Sequence, residues 1–126
     1  MMMQRSQKLI RKAISRRSMS FIIAGDQNAF NGIEQNDKKK VLYFTASWCP
    51  PCKMIGPKFE KMAEEKEHEL IDFVKVDVDD IPDAAQAYRV SGVPMFCFLD
   101  GSNKVSEFVG ADETQLRTHA TALGKK

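Results

Sequence analysis

Residues 46–53 read ASWCPPCK, two cysteines three positions apart with a pair of prolines between them. The stretch follows VLYFTA (41–46), a nearly continuous apolar and β-branched run with the character of a strand buried on both faces. It precedes a helical pattern in which Ile55, Phe59, Met62, Ala63 and Lys66 step at three and four, interrupted by Pro57, which is expected to bend it. A Cys-X-X-Cys between strand and helix puts Cys49 at the helix start, where backbone N–H groups lack partners and the macrodipole is positive. A thiolate is favoured there, and a thiol pKa lowered from about 8.5 toward 7 makes much of it nucleophilic at neutral pH. Cys52, one turn further in, is placed to attack a mixed disulfide formed by Cys49. Pro51 suits the first helical turn, where a missing N–H is no loss. Pro50 stiffens the link further and removes another donor, so the Cys49 sulfur must lean on the Cys52 N–H and thiol and on the dipole.

Outward from this stretch, strand and helix patterns alternate. SMSFII (18–23) has strand character, and GDQNAFNGIEQ (25–35) carries helix-spaced Phe30 and Ile33. Lys38, Lys39 and Lys40 read as a charged loop. IDFVKVDV (71–78) is a second buried strand, and DDIPDAAQAYRV (79–90) a short helix with Asp80 as cap and Pro82 in its first turn. MFCFLDGSNKVSEFVG (95–110) reads as two strands turning at Asp100 to Asn103. A last helix opens at Asp112, with Gln115 at capping-box spacing and Leu116, Ala120 and Leu123 facing inward. The order β-α-β-α-β-α-β-β-α predicts an α/β fold: a central mixed sheet of parallel strands and an antiparallel C-terminal hairpin, flanked by four helices.

At 126 residues, 43% apolar and 29% charged, the chain has the size and balance of one globular domain. No apolar run approaches the roughly 20 residues that cross a bilayer, so no membrane role is expected. Before Asp26 stand six basic residues, Arg5, Lys8, Arg11, Lys12, Arg16 and Arg17, and no acid. Removing those six from the nineteen Lys and Arg leaves thirteen against seventeen Asp and Glu, so the body is acidic and a nucleic-acid partner is not expected. Residues 1–18 have the basic, serine-containing, acid-free composition of a mitochondrial or other organellar transit peptide, with a solvated basic tail as the alternative. The domain then spans 19–126, mitochondrial if the leader is read and cytoplasmic otherwise.

Three cysteines do not make a disulfide framework. A zinc site needs about four ligands; besides the pair only Cys97, His68 and His119 are soft donors, none at a second paired spacing, so no metal is expected. Cys97, within the strand MFCFL, reads as a small buried hydrophobe. His68 and His119 lie in charged stretches and read as solvated surface residues. Met54 and Met62 read as core or groove lining. The acidic run DVDD (77–80) ends a strand and caps a helix. Trp48, beside an exposed turn, reads as a docking surface.

WCPPCK followed by MIGP, then VKVDVDD, SGVPMF and EFVGA, in this order and spacing over about residues 19–124, resembles the thioredoxins. The resemblance implies an attacking thiol at Cys49, a resolving thiol at Cys52 and a flat apolar flank at Trp48 and Pro50. It implies a cis-proline at Pro94 that faces the pair and, with Val93, offers backbone groups to an extended substrate segment. Val109, Gly110 and Ala111 match the loop across that groove. The implied activity is reduction of protein disulfides by a chain with no bound cofactor, acting as a monomeric carrier fed by an NADPH-dependent thioredoxin reductase and serving clients such as a peroxiredoxin. Two positions depart from the pattern. Tyr43 stands where the family usually has a buried aspartate, leaving the matching Lys75 without its usual partner, and an unperturbed tyrosine pKa near 10 makes a poor base. Pro50 stands where glycine is usual, and YFTASWCPPC resembles tryparedoxins and nucleoredoxins. The rival expectations are a non-catalytic adaptor that binds extended segments and a tryparedoxin-like or glutathione-linked reductase.

Overall fold

The computed structural model describes residues 21–126; the basic leader and residues 18–20 of the first predicted strand lie outside them. Five strands, β1 (Phe21–Ile23), β2 (Lys39–Thr45), β3 (Ile71–Asp77), β4 (Met95–Asp100) and β5 (Asn103–Val109), form one sheet in the order β1-β3-β2-β4-β5. The first three run parallel, and β4 and β5 add as an antiparallel hairpin on β2. Four helices flank the sheet: α1 (Gln27–Gln35), α2 (Pro50–Met62), α3 (Pro82–Ala87) and α4 (Glu113–Gly124), with a 3-10 turn at Lys66–His68.

Both faces of the sheet are covered, which explains why β2 is apolar without alternation. Val41 and Tyr43 join the layer containing Ile55 and Phe59 of α2 and Leu116 and Ala120 of α4. Leu42 and Phe44 point the other way, into the layer containing Phe30 of α1 and Ala84 of α3. Phe59, fully buried, packs against Tyr43, Phe73 and Phe96. Side chains of this size contribute roughly 1.5–3 kcal/mol each by leaving water.

Four expectations are corrected by the packing. Lys38–Lys40 is not simply a loop: β2 begins at Lys39, and Lys40 is completely buried. Its Nζ donates to the carbonyls of Gly101 at 2.6 Å and Asn36 at 3.0 Å, with that of Glu34 at 3.5 Å. Those oxygens replace lost water; burial still pushes the ammonium pKa down, against the pull of Asp72 and Asp37. Asp80 does not cap α3, whose N-cap is Ile81 without a side-chain bond. Asp77 serves the turn instead, accepting the N–H of Asp79 at 2.8 Å. His68 is not solvated. Because α2 stops at Met62, the chain turns back through Lys66–His68 and lays the imidazole, 1% exposed, against Phe73. His119 is half-buried and stacks on Phe98 and Phe108.

Candidate active site

The end of β2 delivers the chain to α2 through a tight turn in which the Cys49 N–H donates to the Ala46 carbonyl at 3.2 Å. Cys49 is the N-cap of α2, in extended backbone, with Pro50 and Pro51 filling the first two helical positions. Neither proline has an N–H, so the first donor the helix presents is that of Cys52. It reaches Cys49 Sγ at 3.2 Å. The two cysteines form a disulfide with Cα atoms 5.3 Å apart. Trp48, Pro50 and Pro51 are exposed, as expected of a surface turn, but each cysteine is only 3% exposed.

The groove residues converge on the same point. The Val93–Pro94 peptide bond is cis, and the Val93 carbonyl oxygen lies 3.5 Å from Cys49 Sγ. Pro94 is buried, and its own carbonyl accepts the Gly110 N–H at 2.8 Å. Gly110 has φ +123°, a region open to glycine, and the preceding Val109 projects into solvent. On the other flank Trp48 is 64% exposed and is fixed by donation from Nε1 to Asp79 Oδ2 at 2.9 Å. Asp79 is the site neighbour that sequence reading missed: DVDD gave a reason for strand end and cap, and nothing along the chain couples it to a tryptophan thirty-one positions earlier.

Behind the disulfide the geometry is different. Tyr43 is buried and stacked on Phe96, and its hydroxyl donates to the Cys52 carbonyl at 3.1 Å. Burial pushes the phenol pKa up, so Tyr43 stays neutral and acts as a hydrogen-bond donor. The next strand places Lys75 directly opposite Tyr43 in register, with its side chain exposed. A cavity of about 410 Å³ opens here, lined among others by Tyr43, Cys52, Lys53, Glu60, Lys75 and Asp77. Solvent can therefore approach the second cysteine from the side away from Val93. Cys97, the third cysteine, is fully buried, and burial pushes its thiol up to about 12.

A vicinal disulfide-forming pair at a helix start, next to a backbone carbonyl and beside an exposed apolar flank, is built to exchange one disulfide for another, and by class the molecule is a protein thiol–disulfide oxidoreductase. The thioredoxin family pattern matches residues 21–122. A thioredoxin of Ictalurus punctatus is 40% identical over 92 residues, covering 71% of this chain and 86% of the relative. The crystal structure of Malassezia sympodialis thioredoxin superposes with a TM-score of 0.78 at 35% identity, covering 83% of this chain and 91% of the other. A chain from a structural study of thiol resolution in yeast mitochondrial 1-Cys peroxiredoxin via the glutathione and thioredoxin systems gives a TM-score of 0.73 at 27% identity, covering 84% of this chain and 98% of the other. The chain belongs to the thioredoxin family, as the sequence resemblance implied.

Proposed function

We propose that Cys49 is the attacking thiol and Cys52 the resolving thiol in the reduction of client-protein disulfides. The Cys49 thiolate attacks one sulfur of a client disulfide; the other client sulfur leaves as a thiolate and takes a proton from water. Cys52 then gives up its proton and attacks the Cys49 sulfur, the second client thiolate leaves, and the Cys49–Cys52 disulfide closes. Two electrons have passed to the client. The observation that carries this reading is that one sulfur, Cys49 Sγ, both accepts the Cys52 N–H and lies beside the Val93 carbonyl. An extended client segment is received between Trp48 and Pro50 on one flank and Val109 and Gly110 on the other, pairing with the backbone at Val93 next to Pro94, a form of strand addition.

The Cys52 proton leaves through water in the cavity behind it, since Tyr43 is held neutral; the Lys75 ammonium on the same cavity favours the thiolate. The closed pair is reopened by an NADPH-dependent thioredoxin reductase, and oxidised peroxiredoxin is a client class. Support for the client comes from the likeness to the chain from the yeast peroxiredoxin study. The working unit is a monomer of residues 19–126, directed to mitochondria by residues 1–18; import of a fluorescent fusion that is lost on replacing Arg16 and Arg17 by glutamate tests the address.

Insulin reduction with dithiothreitol is the decisive assay. Wild type is expected to accelerate it, and Cys49→Ser to fall to the rate of dithiothreitol alone; a wild type no faster than that variant would favour a peptide-binding adaptor. Supplying thioredoxin reductase with NADPH, glutathione or trypanothione in turn identifies the reductant, with the tryparedoxin-like WCPPC segment giving the last two their standing as rivals.

A further inference from the structure

The redox reading makes no use of His68, although its setting is unusual. The ring is 1% exposed. Its Nδ1 lies 3.0 Å from the Met62 carbonyl oxygen, which can only accept, so Nδ1 carries the hydrogen and Nε2 of the neutral ring presents a lone pair. That Nε2 is buried and has no hydrogen-bond partner. Facing it at 3.6 Å is Glu67 Oε2, another acceptor, at a separation too long for a hydrogen bond. Glu65 Oε1 lies 3.4 Å from Nδ1, and one donor atom from each of the three residues lies within 4.8 Å of the other two.

Two acceptors facing one another across a gap are relieved by a positive charge between them, either a proton on Nε2 or a metal ion. Zinc binds imidazole nitrogen at about 2.0–2.1 Å and carboxylate oxygen at about 2.0–2.2 Å, and a tetrahedral angle then sets the two ligand atoms about 3.4 Å apart. The observed 3.6 Å between Nε2 and Glu67 is close to that spacing. The carbonyl on Nδ1 is the kind of outer partner that fixes the tautomer of a metal-binding histidine. Glu65 is oriented by Arg117, whose two terminal nitrogens bond its two oxygens at 3.0 and 2.9 Å, and each oxygen keeps a further lone pair.

We propose that Glu65, Glu67 and His68 bind one divalent cation of borderline softness, Zn²⁺ in the first instance, with His68 Nε2 as the nitrogen ligand and water completing the shell. Two of the donors are oxygens and the third is brought inward by the turn after α2, so no paired cysteine or histidine spacing marks the site. The site lies at the far end of α2 from Cys49, roughly 20 Å away for thirteen residues at 1.5 Å each. It is independent of the redox reading. By tying the turn to α4 through Glu65 and Arg117, an ion there pins the C-terminal end of α2 to its neighbour.

The test is a zinc titration by calorimetry of the full chain, without an affinity tag and with the Cys49–Cys52 disulfide closed so that no accessible thiolate competes. One equivalent is expected to bind saturably, with X-ray absorption showing one nitrogen among oxygens and no sulfur. His68→Gln and Glu67→Gln are each expected to weaken binding at least tenfold; Glu67 is exposed, so its variant remains informative if the buried His68→Gln fails to fold. Absence of saturable binding, binding unchanged in Glu67→Gln, or a nitrogen-15 spectrum in which Nε2 holds a proton that zinc does not displace would overturn the proposal.

Discussion

The starts of α2 and α4 are the same device carrying different atoms. At α4, Asp112 caps the helix and its carboxylate accepts the Gln115 N–H at 3.0 Å. At α2, Cys49 caps the helix and its sulfur accepts the Cys52 N–H at 3.2 Å. Bonds from Gln115 hold the Asp112 carboxyl below its usual pKa. The same donor position and the same dipole act on the Cys49 sulfur once the disulfide opens. The lesson is that a helix start favours whatever anion it is given: a carboxylate there contributes stability, and a thiol there contributes reactivity.

Exchanging the capping atom at α2 has the largest expected effect. Cys49→Ser keeps a capping oxygen and removes the proposed nucleophile, so insulin turnover is expected to vanish while the melting temperature stays close to that of the reduced wild type. Next in size is the contrast between thiols. In the reduced protein at pH 7, iodoacetamide is expected to modify Cys49 at least about a hundredfold faster than the buried Cys97. Mass spectrometry of timed quenches reads both, and equal rates would mean that the helix start does not activate the sulfur.

A smaller effect sharpens the role of the first turn. Pro50→Gly restores an N–H near the sulfur and loosens the link between the cysteines; both changes stabilise the dithiol. The reduction potential against glutathione is expected to rise by on the order of 30 mV, about tenfold in the equilibrium constant, with an unchanged circular dichroism spectrum. The smallest effect falls at α4. Asp112→Ala is expected to lower the melting temperature by roughly 4–8 °C without touching turnover. Because the folded-state pKa of Asp112 is depressed, the cap's stabilisation is present above the ordinary carboxylate pKa of about 3.9 and is lost as pH falls through the lower folded value. The difference between wild type and Asp112→Ala should therefore shrink in acid.

The element order and the cysteine pair were legible because they rest on local chemistry: periodicity, caps and helix-start donors. What was not legible rests on partners from distant segments. Lys40 beside two other lysines looks like solvated charge, and only the joining of the α1 end with the β4–β5 turn supplies the carbonyls that let it be buried. His68 in a run of charged residues looks exposed until α2 is known to stop at Met62. Tyr43 could be read as a missing base, but its hydrogen bond to Cys52 and the cavity beside Lys75 come from sheet register and helix placement together.

The bond from Gly110 to the Pro94 carbonyl has a consequence for client choice. Val93–Pro94 leads into β4 and Gly110 follows β5, so one lip of the cleft and its floor are two ends of a single hairpin, clasped to each other. Their separation is thus set within one rigid piece, while the opposite lip, Trp48, hangs on a separate tether to Asp79. A bulky incoming chain is expected to be accommodated by yielding at the tryptophan side, and loosening that tether should broaden which partners are tolerated more than it slows the sulfur chemistry.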